Sequence, residues 1–174
     1  MTDRRTDGQT DGRTELPWLR RAIAVPAVAR KNGEISIVHI HTAVPPRCPV
    51  DVVIVVDDSG SIGTANFNLM KSFLSQLVGY LDIDSGNTRV GLVIYSTNVR
   101  TSFYLNIHSS VVAVQSAIAS LAYTGGGTDT AGALAHVRTT MLTSAAGDRG
   151  NVPNIVVLLT DGRSNNRTAT QVSV

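Results

Sequence analysis

The chain has 174 residues, 43% of them hydrophobic, enough to bury the core of one domain. Its formal charge of +2 divides unevenly: eight Lys/Arg against five Asp/Glu over residues 1–50, seven against eight over 51–174. No basic stripe with interleaved aromatics occurs, which argues against nucleic-acid binding, and no apolar run reaches the roughly 18 residues of a membrane-spanning helix.

The opening "TDRRTDGQTDGRTE" repeats Thr-Asp, is rich in Gly and charge, and has no apolar face to bury. Residues 1–47 are therefore expected to be a low-complexity, disordered segment. Asp3, Asp7 and Asp11 read as solvated side chains rather than calcium ligands. "RRAIAVPAVA" (20–29) imitates a secretory leader only in outline, since Pro26 breaks its short apolar stretch. "EISIVHIH" alternates well enough for a short strand, but His39, His41 and Cys48 lack a fourth ligand of zinc-site spacing and read as ordinary side chains. Cys48 is the single cysteine of the chain, so it has no partner within it. Asn166-Arg167-Thr168 has the pattern of a glycosylation acceptor.

From Cys48 onward the pattern changes. The Val/Ile run at 51–56 has the length and continuity of a strand covered on both faces. Phe67, Met70, Phe73, Leu74, Leu77, Val78 and Leu81 recur at helical spacing and predict a helix over 65–81. "RVGLVIY" (89–95) and "VRTSFYL" (99–105) are strands separated only by "STN", too short for a crossover, so they pair as an antiparallel hairpin. Ser109 or Ser110 caps a helix carrying Val111, Val114, Ala117, Ile118 and Leu121. A further helix follows "TGGG", with Ala131, Leu134, Ala135 and Met141 expected inward. "NIVVLLTDG" (154–162) then repeats the opening theme of an apolar strand ending on an aspartate. The order β-α-β-β-α-α-β implies an α/β fold: a Rossmann-like open sheet, mostly parallel with one antiparallel strand, and helices on both faces.

Ligand sites in such sheets lie beyond the carboxyl ends of the strands. Three segments should meet there: "DDSGS", "GGGTDT" and "TDG". They supply Asp57, Asp58, Ser59, Ser61, Thr128, Asp129 and Asp161, a set of oxygens without sulfur or imidazole, which suits a hard divalent cation such as Mg²⁺ or Mn²⁺. Neutral hydroxyls fill coordination positions without overcompensating the charge, so the ion stays electrophilic. Gly60 and Gly63 allow the loop to turn Ser59 and Ser61 toward one point, and the following helix N-terminus adds partial positive charge.

Asp57-x-Ser59-x-Ser61, with Thr128 in "GGGTDTAGAL" and Asp161 in "VVLLTDG", resembles the metal-ion-dependent adhesion site of the von Willebrand factor type A domain. "RVGLVIYSTNVRTSFYLN" is similar to the hairpin of the collagen and matrilin branch, and the likeness covers residues 48–174. The resemblance implies that Ser59, Ser61 and Thr128 bind the metal through their hydroxyls, with Asp57 and Asp161 acting directly or through water. An acidic side chain of a protein ligand would take the open position. The expected function is that of an extracellular matrix or cell-adhesion binding module, with matrix or cell-surface proteins as partners and no catalytic residues.

Asp58 stands where the family often has glycine and Asp129 where it often has asparagine. Either adds charge that tightens metal binding and weakens capture of an acidic ligand, or both face solvent without coordinating, which is the plainer expectation. A complete domain of this family continues past Asp161 with further helices and roughly two more strands, whereas this chain stops thirteen residues later. The resemblance thus implies a partial domain with sheet order 3-2-1-4, "IVVLL" as an exposed edge open to pairing with another chain, and no partner for the cysteine before the first strand. Two alternatives remain at this stage. One is an intracellular assembly module of the same family. The other is a metal-dependent phosphate-processing enzyme with Asp57 as nucleophile, against which stand the absence of the Gly-x-Ser-x-Gly spacing and of any lysine after residue 31 other than Lys71. His108 and His136 lie outside the metal loops.

Overall fold

The computed structural model describes residues 49–162, 164, 165 and 170. The expectations for residues 1–47, for Cys48 and for Asn166 lie outside them. The described chain forms a four-stranded sheet of order β3-β2-β1-β4. Strand β1 (Val50–Asp57) is central, parallel to both β2 (Thr88–Tyr95) and β4 (Asn154–Leu159), while β3 (Val99–Phe103) returns antiparallel along β2. Mixed topology and strand order both follow the expectation from the sequence.

All eight residues of β1 are buried, and its alternation divides the core. Val50, Val52, Ile54 and Val56 pack with Phe67, Leu74 and Val78 of α1 (Gly63–Gly79) and with Val114 and Ile118 of α2 (Val111–Ala119). Val53 and Val55 point the other way, onto Ala133 of α3 (Thr130–His136) and onto Val137 and Met141 in the π-helical turn that continues it. Helices therefore cover both faces. Each fully buried Val or Ile contributes roughly 1.5–3 kcal/mol of transfer free energy, which is why a strand without polar alternation takes the centre.

Several boundaries differ from the sequence reading. Helix α1 spans Gly63–Gly79 rather than 65–81, and Leu81 packs against the core from beyond its end. Strand β3 stops at Phe103, with a register irregularity opposite Leu92/Val93, and Leu105 is buried from the following turn. Strand β4 ends at Leu159. In α3 the buried residues are Thr130, Ala133 and Leu134, with Val137 and Met141 beyond, while Ala131 and Ala135 are half-buried. Alanines on several faces of "TAGALAH" leave its apolar stripe ill-defined, so the sheet decides which side turns in. Ser110 caps α2 as expected, its Oγ accepting from Ala113 N at 3.2 Å. Among the described residues β4 pairs on one side only, with β1, yet Val156, Val157, Leu158 and Leu159 are buried between the two helical layers. Of the six residues of β4 only Ile155 is less than fully buried.

At the amino end of β1, Asp51 is fully buried and held by Arg149: Nε donates to Oδ1 at 2.9 Å and the backbone N–H to Oδ2 at 2.8 Å. The same guanidinium donates to the carbonyls of Val50, Asn87 and Gly86, tying the starts of β1 and β2 to the segment before β4. Arg149→Met should cost about 3–5 kcal/mol because it strands a buried carboxylate. Urea unfolding checks this, and Asp51→Asn combined with Arg149→Met should recover part of the loss.

Candidate functional site

The site forms at the carboxyl end of the sheet, where β1 ends on Asp57 opposite Tyr95, the last residue of β2. Both Asp57 oxygens are engaged. Oδ1 accepts from Ser59 N at 2.9 Å; Oδ2 accepts from Thr160 Oγ1 at 2.8 Å and from Tyr95 OH at 3.3 Å. Tyr95 OH also lies 3.3 Å from Thr130 Oγ1 at the start of α3. Three strand ends and one helix thus converge on a single carboxylate.

Burial pushes the Asp57 carboxyl above its ordinary value of 3.8 and the nearby Asp161 charge adds to this, while hydrogen bonds from Ser59 and Thr160 pull it back. Burial and the Asp57 charge raise the Tyr95 phenol well above its ordinary value of 10, so it remains a donor.

Above this carboxylate the loop after β1 turns tightly. Ser59 is fully buried and Ser61 exposed, and their hydroxyl oxygens lie 3.1 Å apart. Metal–oxygen distances of 2.0–2.1 Å put neighbouring oxygens of a Mg²⁺ octahedron about 2.9 Å apart, so the pair suits one edge of such a shell. Gly63, at φ +70°, opens α1 in a conformation that side chains rarely adopt. Gly60 donates its N–H to Gly126 O at 2.9 Å, and a Cβ on it would come within 3.3 Å of that oxygen.

That contact brings in the second segment. Gly60 to Gly126, Tyr123 OH to Ser59 O (3.1 Å) and Asp129 N to Ser96 O (2.8 Å) hold residues 123–129 against the ends of β1 and β2. Thr128 is buried there, its carbonyl accepting from Asn165 N at 3.0 Å. Asp161, in the third segment, is half-buried just after Thr160 and close enough to act on Asp57. All three predicted loops meet at one end of the sheet.

The two extra aspartates do not face solvent as expected. Asp58 is fully buried, and its Oδ2 accepts from Arg100 Nη2 at 2.6 Å, Thr124 Oγ1 at 2.5 Å and Thr124 N at 3.2 Å, while Oδ1 is buried without a partner. Arg100 on β3 attracts it inward, which neutralises its charge. Asp129 is the N-cap of α3, accepting from Gly132 N at 3.0 Å, a structural use of its carboxylate. The sequence reading missed Tyr95, Thr130, Thr160, Thr124 and Arg100. A signal existed only for Thr160, which stands directly before Asp161, and Tyr95, the one polar group closing an apolar strand. His136 Nε2 lies 2.7 Å from Thr101 Oγ1, and His108 packs edge-on to Phe103.

Among the described residues no cluster of three or more His, Cys, Asp or Glu side chains forms, so any metal held here relies on the hydroxyls as much as on the carboxylates.

The sequence profile of the von Willebrand factor type A domain matches residues 51–174. The chain is 45% identical to the mouse collagen alpha-4(VI) chain over 125 residues and 41% identical to human matrilin-4 over 118. These alignments cover 68% and 66% of the chain but only 5% and 19% of those relatives. Among solved structures it is similar to proximal thread matrix protein 1 of the mussel byssus with a zinc-occupied MIDAS motif: TM-score 0.67, 30% identity, 72% of this chain and 34% of that one.

Because the folded Asp57 carboxyl titrates above 3.8, the folded state keeps this proton to higher pH than the unfolded chain, and stability falls as pH rises from about 3.8 through the raised value. In chelator, the melting temperature of Asp57→Asn should therefore gain on that of the unsubstituted protein across this window. Parallel curves would exclude the buried charge as a source of instability.

Proposed function

The chain belongs to the von Willebrand factor type A domain family, and from that membership we propose that it is a divalent-metal-dependent protein-binding module of an extracellular matrix or adhesion protein. Ser59, Ser61 and Thr128 would hold the metal through their hydroxyls, with Asp57 and Asp161 contributing directly or through water. When bound, a Mg²⁺ or Mn²⁺ ion supplies a Lewis-acidic position for a Glu or Asp carboxylate of the partner protein. The observation that carries this reading is the Ser59–Ser61 hydroxyl pair, 3.1 Å apart, over the buried Asp57.

The protein's own groups do the preparatory work. Ser59 N–H, Thr160 and Tyr95 fix the Asp57 carboxylate before any ion arrives, so little ordering remains to oppose binding. Two carboxylates, Asp57 and Asp161, match a divalent charge, while the hydroxyls add none. Asp58 does not disturb this balance, because Arg100 neutralises it. The relatives named above are matrix proteins, which favours an extracellular location over an intracellular assembly role.

A phosphate-processing enzyme with Asp57 as nucleophile is the weaker reading. Both Asp57 oxygens accept hydrogen bonds, and Lys71 caps α2 by donating to the carbonyls of Ala119 and Leu121.

Calorimetric titration with Mg²⁺ and Mn²⁺ tests the proposal. Ser61→Ala, an exposed change that spares the core, should weaken binding by about tenfold or more with the melting temperature in chelator unchanged. Equal affinity in the variant and the unsubstituted protein would remove Ser61 from the ligand set.

A further inference from the structure

The Asp58–Arg100 pair leaves half of a guanidinium unused. Arg100 Nη2 is anchored by Asp58 Oδ2 at 2.6 Å and Thr124 Oγ1 at 3.1 Å, which fixes the plane of the group. Nε and Nη1 have no hydrogen-bond partner among the described residues, and the side chain is 42% exposed. It forms one wall of a groove of about 250 Å³ between β3 and the segment leaving α2; Ser102, Ser120, Leu121, Ala122 and Ile94 also line it.

From these features we infer that the groove is a second ligand subsite, in which Arg100 binds another acidic side chain of the same protein whose first carboxylate reaches the metal. This rests on the metal-bridge reading and deepens it, making the preferred partner a diacidic segment. Asp58 adjoins Ser59 in the chain, and Tyr123, next to Ala122, donates to the Ser59 carbonyl, so the groove opens beside the metal loop. Ala122, exposed in the groove, offers apolar surface to the methylenes of a Glu. The negative end of α2 is offset by Lys71 Nζ, which donates to the carbonyls of Ala119 and Leu121 at 3.3 and 3.2 Å.

Asp58 also shapes the selectivity. Its charge cancels the long-range field of Arg100, so diffuse attraction for any acidic surface is weak. What remains is directional: Nη2, which belongs to both forks of the guanidinium, is taken, so Nε or Nη1 offers a single fixed N–H to a carboxylate oxygen that arrives in register.

Fluorescence polarisation with labelled Gly/Ser peptides tests this, one set carrying a single Glu and another carrying a second Glu at varied spacing, each in Mg²⁺ and in chelator. At the best spacing the diacidic peptide should bind about tenfold more tightly than the monoacidic one. Ala122→Glu, which places a competing carboxylate in the groove, should abolish that difference and leave Mg²⁺ affinity and monoacidic binding unchanged; Arg100→Gln, compared at saturating Mg²⁺ because it also removes the charge opposite the buried Asp58, should abolish the difference as well. An undiminished diacidic advantage in both variants overturns the subsite, as does equal loss of mono- and diacidic binding in Ala122→Glu. Peptide binding that persists in chelator, or its absence even with Mg²⁺, overturns the metal bridge itself.

Discussion

The structure depends on carrying one carboxylate, that of Asp57, to the end of a strand with no access to water. Desolvation alone would drive the group to its neutral form. It is tolerated because donors from three other places reach it: a backbone N–H two residues on, a hydroxyl from the end of β4 and the phenol of Tyr95. Each donor exists at that point only if β1, β2 and β4 are parallel and in register. The fold and the site are therefore one constraint, since a slip of a single residue in β2 would carry Tyr95 to the opposite face of the sheet.

Strand β1 bears a second problem of the same kind at its other end. Asp51 and Asp57 occupy the same face, separated by Val53 and Val55. Asp51 is answered by Arg149, which satisfies both its oxygens and three carbonyls besides. Such a pair contributes little net stability against an apolar replacement, but removing one partner is costly. Its consequence is alignment: it locks the starts of three strands, leaving the carboxyl ends free to specialise.

At that specialised end the accounts do not fully close. Asp58 has three donors on one oxygen and none on the other, and an orphaned buried acceptor costs roughly 1–3 kcal/mol. The return on this cost is geometric. Thr124 and Arg100, from a loop and an edge strand, are drawn onto the loop that follows β1, which holds the segment leading to Thr128 beside it. A site made largely of hydroxyls needs such enforcement, because neutral oxygens attract an ion weakly unless they are already in place.

Hydrophobic pattern and strand-end chemistry were legible in the sequence. The unbroken run at 52–56, the helical spacing from Phe67 to Val78 and the three-residue gap before Val99 determine the elements, the hairpin and the mixed α/β sheet whose strand ends carry the three oxygen-bearing loops, because burial and chain length are local properties that a sequence carries openly; the sheet order was implied by the family resemblance. The destinations of Asp58 and Asp129 were not legible. Whether a carboxylate caps a helix, meets an arginine or faces water depends on a partner tens of residues away, and nothing in "DDSGS" names Arg100. The same holds for the inward face of α3, where alanines let the sheet choose, and for Tyr95 and Thr130, whose hydroxyls matter only once β2 and α3 lie beside β1. Tertiary structure alone decides these points, since each is a pairing between distant segments.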